Sequence, residues 1–152
     1  MHREADGQAQ RKANMAVLAR APGERLKALW DGAGLETEYQ IVRGPETGLV
    51  TVRGRIGGGG SPFNVGEVTV TRATVKLAGG AVGHSYALGR DKEKSRIAAL
   101  FDALWQDESL QPKLAADVIE PLARELDDDD TQTKQQTAAT RVDFFTMVRG
   151  ED

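Results

Sequence analysis

The sequence predicts an α+β fold with N-terminal helices, an antiparallel sheet of about four strands, and a helical second half that ends in an extended C-terminal arm. Two changes of hydrophobic period support this prediction. Apolar residues recur at helical spacing in the N-terminal section, alternate between about Glu38 and Leu88, and return to helical spacing near Asp91. A length of 152 residues suits one domain. We place it at residues 11–126, with residues 1–10 disordered and residues 127–152 forming an acidic connector and a docking arm.

Two short helices are predicted between Arg11 and Trp30, with a break at Pro22-Gly23. Their apolar residues at helical spacing are Met15, Val17, Leu18, Leu26, Leu29 and Trp30. Gly32 and Gly34 suit the left-handed conformations of a C-cap and turn, so the second helix is expected to end there.

Alternating residues then predict the strands. The stretches TEYQIVR and GLVTVRGRI predict two antiparallel strands joined by GPET. In the next stretch, EVTVTRATVKL, Val68 and Val70 lie in one phase but Ala73 and Val75 lie in the other, and a bulge near Thr71-Arg72 would reconcile the two phases. A fourth strand, AVGHSYALG, places apolar residues on one face and small residues on the other.

The second half is predicted to be helical. Asp91 is placed to cap a helix whose apolar stripe comprises Ile97, Leu100, Phe101, Leu104 and Trp105. Another helix follows from Leu110 to Leu126, and Pro121 is expected to kink it. Asp127–Asp130 are expected to form a solvated helix start or linker, because four consecutive carboxylates cannot wrap a cation as spaced ligands do.

Composition and charge exclude several classes of function. The net charge is −3, from 20 basic and 23 acidic residues, so no overall basic field favours nucleic acid. The absence of cysteine excludes a thiolate nucleophile and an iron–sulfur ligand set from this chain. The N-terminal stretch lacks the continuous apolar core that a signal peptide would have, and no stretch approaches the roughly 18 apolar residues of a membrane span. We therefore expect a soluble, cytoplasmic protein.

The sequence has no motif for a phosphate loop, an activated nucleophile or a metal cluster, so we expect no catalytic residue, metal or cofactor in this chain. The histidines, His2 and His84, lie far apart. His84 is in the apolar phase of its strand, which favours a packed histidine; the alternative is a general acid or base.

The stretch RGRIGGGGSPFNVG carries the most suggestive polar residues. Arg53 and Arg55 share a strand face beside four glycines, and such a combination can hold phosphate oxygens or an acidic partner surface. The alternative is a solvated hairpin loop, and GRDK is equally the turn before a capped helix. The residues of the predicted contact are Arg53, Arg55, Gly57, Gly58, Gly59, Gly60, Arg72, Arg90 and Lys92.

The string RVDFFTMVRG is unusually apolar for a C-terminal segment. Extended, Val142–Val148 would reach about 23 Å, far enough to lie across a neighbouring domain. We interpret this segment as an arm that docks on another subunit by strand addition; the alternative is that it folds back on its own core. The predicted docking residues are Arg141, Val142, Asp143, Phe144, Phe145, Met147, Val148 and Arg149.

Several strings together resemble the PhnG family, the G subunits of the bacterial carbon–phosphorus lyase system: ETGLV, TRATVKL, GRDK, LFDAL and RVDFFTMVRG. Their order and spacing match from about Asn14 to Gly150. Two features depart from the family pattern. Asn14 stands where an aromatic residue is expected, and DDDD makes the connector before the tail more acidic.

The resemblance implies a role in phosphonate use. The chain would join the H, I and J subunits, with L assisting, as two copies in a symmetric hetero-oligomer. That complex would replace the adenine of ATP by methylphosphonate, giving ribose 1-methylphosphonate 5-triphosphate, so ATP and methylphosphonate would be its substrates. The nucleosidase activity would belong to I and the later radical cleavage to J, while the G subunit connects them without catalysing a reaction alone.

Two other classes of function stay open at this point. The chain could be a stand-alone phosphate- or nucleotide-binding enzyme that uses the arginine and glycine loop, or a self-associating structural protein whose tails pair. Purification of the chain alone separates them. A subunit of a complex would show poor solubility or no activity until its partners are present. A stand-alone enzyme would turn over ATP alone, and a structural protein would form a stable homodimer.

Overall fold

The computed structural model describes residues 2–55 and 59–150, and it describes side chains up to residue 138, apart from that of residue 64. The elements in chain order are α1 (His2–Arg20), α2 (Gly23–Ala33), β1 (Tyr39–Arg55), β2 (Pro62–Leu77), β3 (Val82–Leu88), α3 (Lys92–Trp105), α4 (Gln111–Leu114), a π-helical turn (Ala115–Ile119) and α5 (Glu120–Gly150). This order confirms the predicted α+β class, in which an antiparallel sheet separates two helical sections of the chain.

The N-terminal helix is longer than the sequence suggested. Helix α1 begins at His2, so residues 2–10 are helical rather than disordered. They are rich in strong helix formers, and they extend a helix that is anchored through the buried side chain of Leu18. The predicted break at Pro22-Gly23 is confirmed, and α2 ends at Gly34 with a positive φ of 62°.

The sheet contains all the predicted strand segments, but it joins two of them. TEYQIVR and GLVTVRGRI form parts of the single strand β1 rather than a hairpin, so the sheet has three strands in the order β1-β2-β3. Gly44, at φ 66°, lets the chain bulge within GPET, and the register shifts between Arg43 and Glu46. Strand β2 is 16 residues long and pairs with both halves of β1, so the strand continues through the bulge.

The bulge predicted near Thr71-Arg72 is absent from β2. Thr71 pairs with Thr47 of β1 and with Ala87 of β3, and the register between β2 and β3 runs on without a shift. The register between β1 and β2 does shift opposite Arg72–Thr74, but the extra residue there belongs to β1. The extra residue in β2 is Val65, opposite the shift between Val52 and Arg53. The change of apolar phase within β2 is therefore a real change of face, because successive side chains point to opposite sides of the sheet.

Helix α3 packs between the sheet and the other helices. On the sheet side, the buried cluster comprises Ala73, Val75, Ala99, Leu100 and Ala103. On the helical side, α3 contributes Ile97, Phe101 and Leu104 to a second cluster, which Leu18 of α1, Leu26 of α2 and Leu122 of α5 complete. We call the face of the sheet that packs on α3 the inner face and the opposite one the outer face.

The last helical section is continuous from α4 to α5. The π-helical turn ends two residues before Pro121, whose ring would clash with a carbonyl four residues earlier in a regular helix. Helix α5 then continues through the acidic run to Gly150, so the arm is helical and not extended. No proline or glycine interrupts residues 122–149, and seven helical residues span about 10 Å rather than 23 Å. The side chains of the predicted docking residues lie outside the described residues.

No helix in the described ranges is long and apolar enough to cross a membrane.

Candidate functional site

The outer face of the sheet exposes apolar side chains from all three strands. Tyr86 is 52% exposed, Leu88 72% and Val65 62%. The register places these residues together, since Gly48 lies opposite Val70, and Val70 lies opposite Leu88. We call the following set the outer stripe: Val50, Val52, Phe63, Val65, Val68, Val70, Tyr86 and Leu88. Val70 is only 5% exposed and lies beneath the exposed members.

Close packing of α3 explains why β3 turns its large residues outward. A Cβ atom on Gly83 would lie 2.5 Å from the backbone nitrogen of Ala103 and 2.7 Å from its Cβ atom. Only small residues fit so close to a helix backbone, and the inward residues of β3 are Gly83, Ser85 and Ala87. His84 is therefore exposed on the outer face, with its Nδ1 atom 3.1 Å from Thr74 Oγ1, and the predicted packed histidine is wrong.

Beyond the end of β3, strands β1 and β2 continue as a two-stranded ribbon. We define the ribbon as residues 49–55 and 62–69, which pair with each other after the last β2–β3 pair, Val70 with Leu88. Seven residues of strand span about 23 Å. Gly54 leaves room on the outer face for apolar neighbours, because a Cβ atom there would lie 2.8 Å from Val65 Cγ2.

A hollow of about 300 Å³ opens in the outer face over Gly48. Its walls include Val50, Val70 and Tyr86. On one rim the Arg72 Nε atom donates to Glu46 Oε1 at 2.5 Å. No atom of the described residues lies within 4 Å of a Cβ atom built on Gly48, so the hollow exists in part because Gly48 has no side chain. An apolar floor with a few polar groups at its rim suits an inserted side chain.

The structure separates the predicted phosphate-contact residues. Arg53 and Arg55 are both exposed on the ribbon, in the strand phase opposite Val50 and Val52. Arg72 instead pairs with Glu46 at the base of the sheet, about 26 Å along β2 from the residue opposite Arg53. A contact between this surface and phosphate stays a prediction.

The other members of that predicted set lie apart from the ribbon tip or outside the description. Arg90 is in the turn after β3, where the Gly89 N–H donates to the Thr69 carbonyl at 2.9 Å. Lys92 begins α3 directly after its cap, Asp91. Gly59 and Gly60 belong to the connection between β1 and β2, whereas Gly57 and Gly58 lie outside the described residues.

Sequence reasoning missed a buried ionic network at the edge of β3. Arg11 of α1 donates from Nε and Nη2 to the two carboxylate oxygens of Asp102, each at 2.9 Å. Asp102 also accepts the backbone N–H of His84 at 2.8 Å, and its side chain is 2% exposed. Hydrogen bonding to Asp102 raises the pKa of Arg11 above its ordinary value. A charge inside the apolar string LFDAL is the signal that would have indicated this network.

Some backbone groups on the free edge of β3 therefore already have side-chain hydrogen-bond partners. The Val82 carbonyl accepts the Gln106 side-chain amide at 2.6 Å, while the His84 N–H is taken by Asp102. Edge groups paired in this way are not free to add another strand. Among the described residues, no group of three or more His, Asp or Glu side chains is placed to hold a metal ion.

Comparison with known proteins identifies the family. The chain matches the model of the family described as phosphonate metabolism protein PhnG over residues 9–150. It is also 55% identical over 146 residues to the alpha-D-ribose 1-methylphosphonate 5-triphosphate synthase subunit PhnG of Rhizobium meliloti (strain 1021), a match that covers 96% of this chain and 93% of that relative. These matches confirm the resemblance seen in the sequence strings, and the chain belongs to the PhnG family of phosphonate metabolism proteins.

Proposed function

We propose that this chain is a subunit of an alpha-D-ribose 1-methylphosphonate 5-triphosphate synthase in phosphonate catabolism. The observation that carries the proposal is the 55% identity, over nearly the full length of both chains, to a relative that bears this name. The fold agrees with a subunit role, because its most distinctive surface is an exposed apolar stripe of the kind that meets another protein.

The synthase would join methylphosphonate to the ribose C1' of ATP and release adenine. In that exchange the bond from C1' to the adenine nitrogen breaks, a bond from C1' to a phosphonate oxygen forms, and adenine leaves with a proton. ATP and methylphosphonate are substrates of the complex, and this chain carries no cofactor of its own. Its buried carboxylate, Asp102, is already engaged by Arg11 and the His84 amide, which supports a structural role for that charge.

The partners we propose are the H, I and J subunits of carbon–phosphorus lyase, with L assisting, and two copies of this chain in a symmetric assembly in the cytoplasm. The chain would connect the other subunits rather than turn over substrate alone. Arg53 and Arg55 would face an acidic partner surface or a phosphate group, since both guanidinium groups are exposed on the ribbon.

Residues 141–149 would dock on a partner as the last turns of α5. A helix that enters an apolar groove now replaces strand addition as the proposed mode, because the backbone of this segment is helical. Deletion of residues 142–152 is expected to leave a folded domain that no longer joins the I and J subunits. A truncated chain that still assembles a full, active complex would rule out the docking arm.

Reconstitution with the partner subunits tests the proposed function. The complex purified with and without this chain is supplied with ATP and methylphosphonate, and adenine release is measured. We expect activity to fall more than tenfold without the chain, to return when the chain is added, and to be absent from the chain alone. ATP turnover by the chain alone would favour the stand-alone enzyme. A stable homodimer that does not bind the other subunits would favour the alternative of a self-associating structural protein.

A further inference from the structure

The sheet has two apolar faces in different parts of its length. Ala73 and Val75 point to the inner face, where α3 buries them. Val68 and Val70 point to the outer face, and β2 has no extra residue between the two pairs, since its register with β3 is unbroken there. An antiparallel sheet with one covering layer shows apolar residues on one face only. The change of face along β2 therefore indicates two covering layers, of which helix α3 is one.

The second layer has to cover a substantial surface. Tyr86, Leu88 and Val65 each leave more than half of their side chain exposed. The ribbon adds a second indication, because two strands without a third strand or a packed helix are marginally stable in water. A sequence that keeps alternating apolar residues along such a ribbon is typical of a strand pair that packs on another surface.

We propose that another subunit of the complex covers the outer stripe with an apolar wall and reaches round the ribbon to meet Arg53 and Arg55 with carboxylates. This inference rests on the proposed function and names the surface through which the chain joins its complex. The two faces of the ribbon set the chemistry of the partner. Its cleft is apolar on the side of Val50 and Val52. On the other side of the ribbon, which also exposes Leu49 and Glu67, the cleft presents carboxylates at the two arginines.

Size favours a different subunit over a second copy of this chain. From Phe63 to Tyr86, which lies opposite Arg72, the outer stripe is about 30 Å long and two to three strands, about 12 Å, wide, so it offers roughly 350 Å². Two copies stacked through this stripe would bury about 700 Å² in total, well below the roughly 1,200–2,000 Å² of stable interfaces. A partner whose cleft encloses both faces of the ribbon would bury about twice this area, which lies within the range of stable interfaces.

The hollow over Gly48 is the place in this interface where a partner side chain can insert. Its volume of about 300 Å³ and its lining by Val50, Val70 and Tyr86 suit one large apolar side chain of the partner. A side chain built on Gly48 would occupy the same space from within.

Gly48→Arg and Gly79→Arg form a matched pair that tests the proposal. In the part of the chain that the structure describes, no atom lies within 4 Å of a Cβ atom built at either glycine, and neither glycine has a positive φ, so both variants should fold. Only Gly48 lies on the outer face; Gly79 lies in the turn between β2 and β3. Affinity is measured against the remaining subunits, co-purified without this chain. We expect Gly48→Arg to bind at least about tenfold more weakly and Gly79→Arg to bind within about twofold of the wild type.

The thermal unfolding of each isolated variant accompanies the binding measurement, and both midpoints should lie within about 3 °C of the wild type. If Gly48→Arg proves unstable, Tyr86→Glu replaces it, since Tyr86 is half exposed. Wild-type affinity for a folded outer-face variant would overturn the proposal. The variant could instead lose a homodimer that the wild type forms and keep its affinity for the other subunits. That result would overturn the proposal, because the outer stripe would then bind a second copy of this chain. Failure of the wild-type chain itself to bind would instead refute the proposed function.

Discussion

Arg11 and Asp102 form a two-pronged ion pair across 91 residues of sequence, with both nitrogen–oxygen distances at 2.9 Å. The pair joins α1 to α3, and the same carboxylate accepts the His84 N–H of the edge strand. Asp102 is thus the point at which the N-terminal helix, the central helix and the sheet meet. Its side chain is 2% exposed, whereas that of Arg11 is 34% exposed.

Replacement of Asp102 by alanine should lower the free energy of unfolding by about 2–4 kcal/mol, since it leaves a guanidinium group and a buried N–H without their acceptor. Urea unfolding of the isolated chain measures the loss. Asp130→Ala is the matched control, because the Arg20–Asp130 pair is more than half exposed on both sides. We expect the control to cost no more than about 0.5 kcal/mol. Equal losses in the two variants would show that the buried network has no special role.

Gly83→Ala should destabilise the chain by about 3 kcal/mol or more, since the new methyl group would press on the Ala103 backbone and side chain of α3. Chemical unfolding gives the value. At Gly79 the same change meets nothing within 4 Å and should stay within about 0.5 kcal/mol of the wild type. A tolerated Gly83→Ala would mean that β3 and α3 pack less closely than the structure shows.

The sequence predicted the helices and strands better than it predicted which face of the sheet is buried. Alternation marked every strand segment, and the break at Pro22-Gly23 and the cap at Asp91 followed from local chemistry. The apolar phase of β3 suggested a packed His84, but the small residues of this strand are the buried ones. Periodicity shows that a strand has two faces; tertiary packing decides which face the helix covers.

The change of phase within β2 misled sequence reasoning for a related reason. A bulge near Thr71-Arg72 was expected because a strand is usually covered on one face. The structure has no extra residue in β2 at this point and keeps the register between β2 and β3, so Val68 and Val70 face away from α3. The charge inside LFDAL indicates a buried Asp102, but its pairing with Arg11 could not be predicted from the sequence, since no local pattern links residues so far apart.

Loss of stability in acid should depend in part on Glu93. A hydrogen bond from Arg96, opposed by burial and aided by the charges of Arg96 and Lys27, lowers the pKa of Glu93 below its ordinary value of 4.5. The folded state therefore holds its proton less tightly than the unfolded state. The resulting stabilisation is present above about pH 4.5 and is lost as the pH falls through the lowered pKa.

Glu93→Gln tests this pH dependence. The variant should be less stable than the wild type by at most about 0.5 kcal/mol near neutral pH, because the carboxylate is about half exposed and screened by solvent. The difference should shrink as the pH falls from about 5 to about 3. Denaturant unfolding across that range is the measurement. A difference that grows in acid would show that the sign of the linkage is wrong.

Arg53→Glu combined with Arg55→Glu should weaken complex assembly or product formation by well over tenfold, because two reversed charges would repel an acidic wall or a phosphate group. Both side chains are exposed, so the isolated chain should unfold at a similar temperature. Arg3→Glu with Lys12→Glu, on exposed positions of α1, makes the same change in net charge away from the ribbon. Equal effects of the two double variants would show that the loss of assembly follows from the change in net charge and not from a contact at the ribbon.

Hydrogen–deuterium exchange of the ribbon amides, residues 49–55 and 63–69, tests most directly whether a partner covers the outer face. In the isolated chain these amides should exchange faster than those of residues 73–76, which lie in the part of β2 flanked by strands on both sides. In the assembled complex the ribbon amides should slow by at least about tenfold, because a covering subunit suppresses local opening of the ribbon. Ribbon amides that exchange equally fast in the isolated chain and in the active complex would show that no partner subunit covers the outer face.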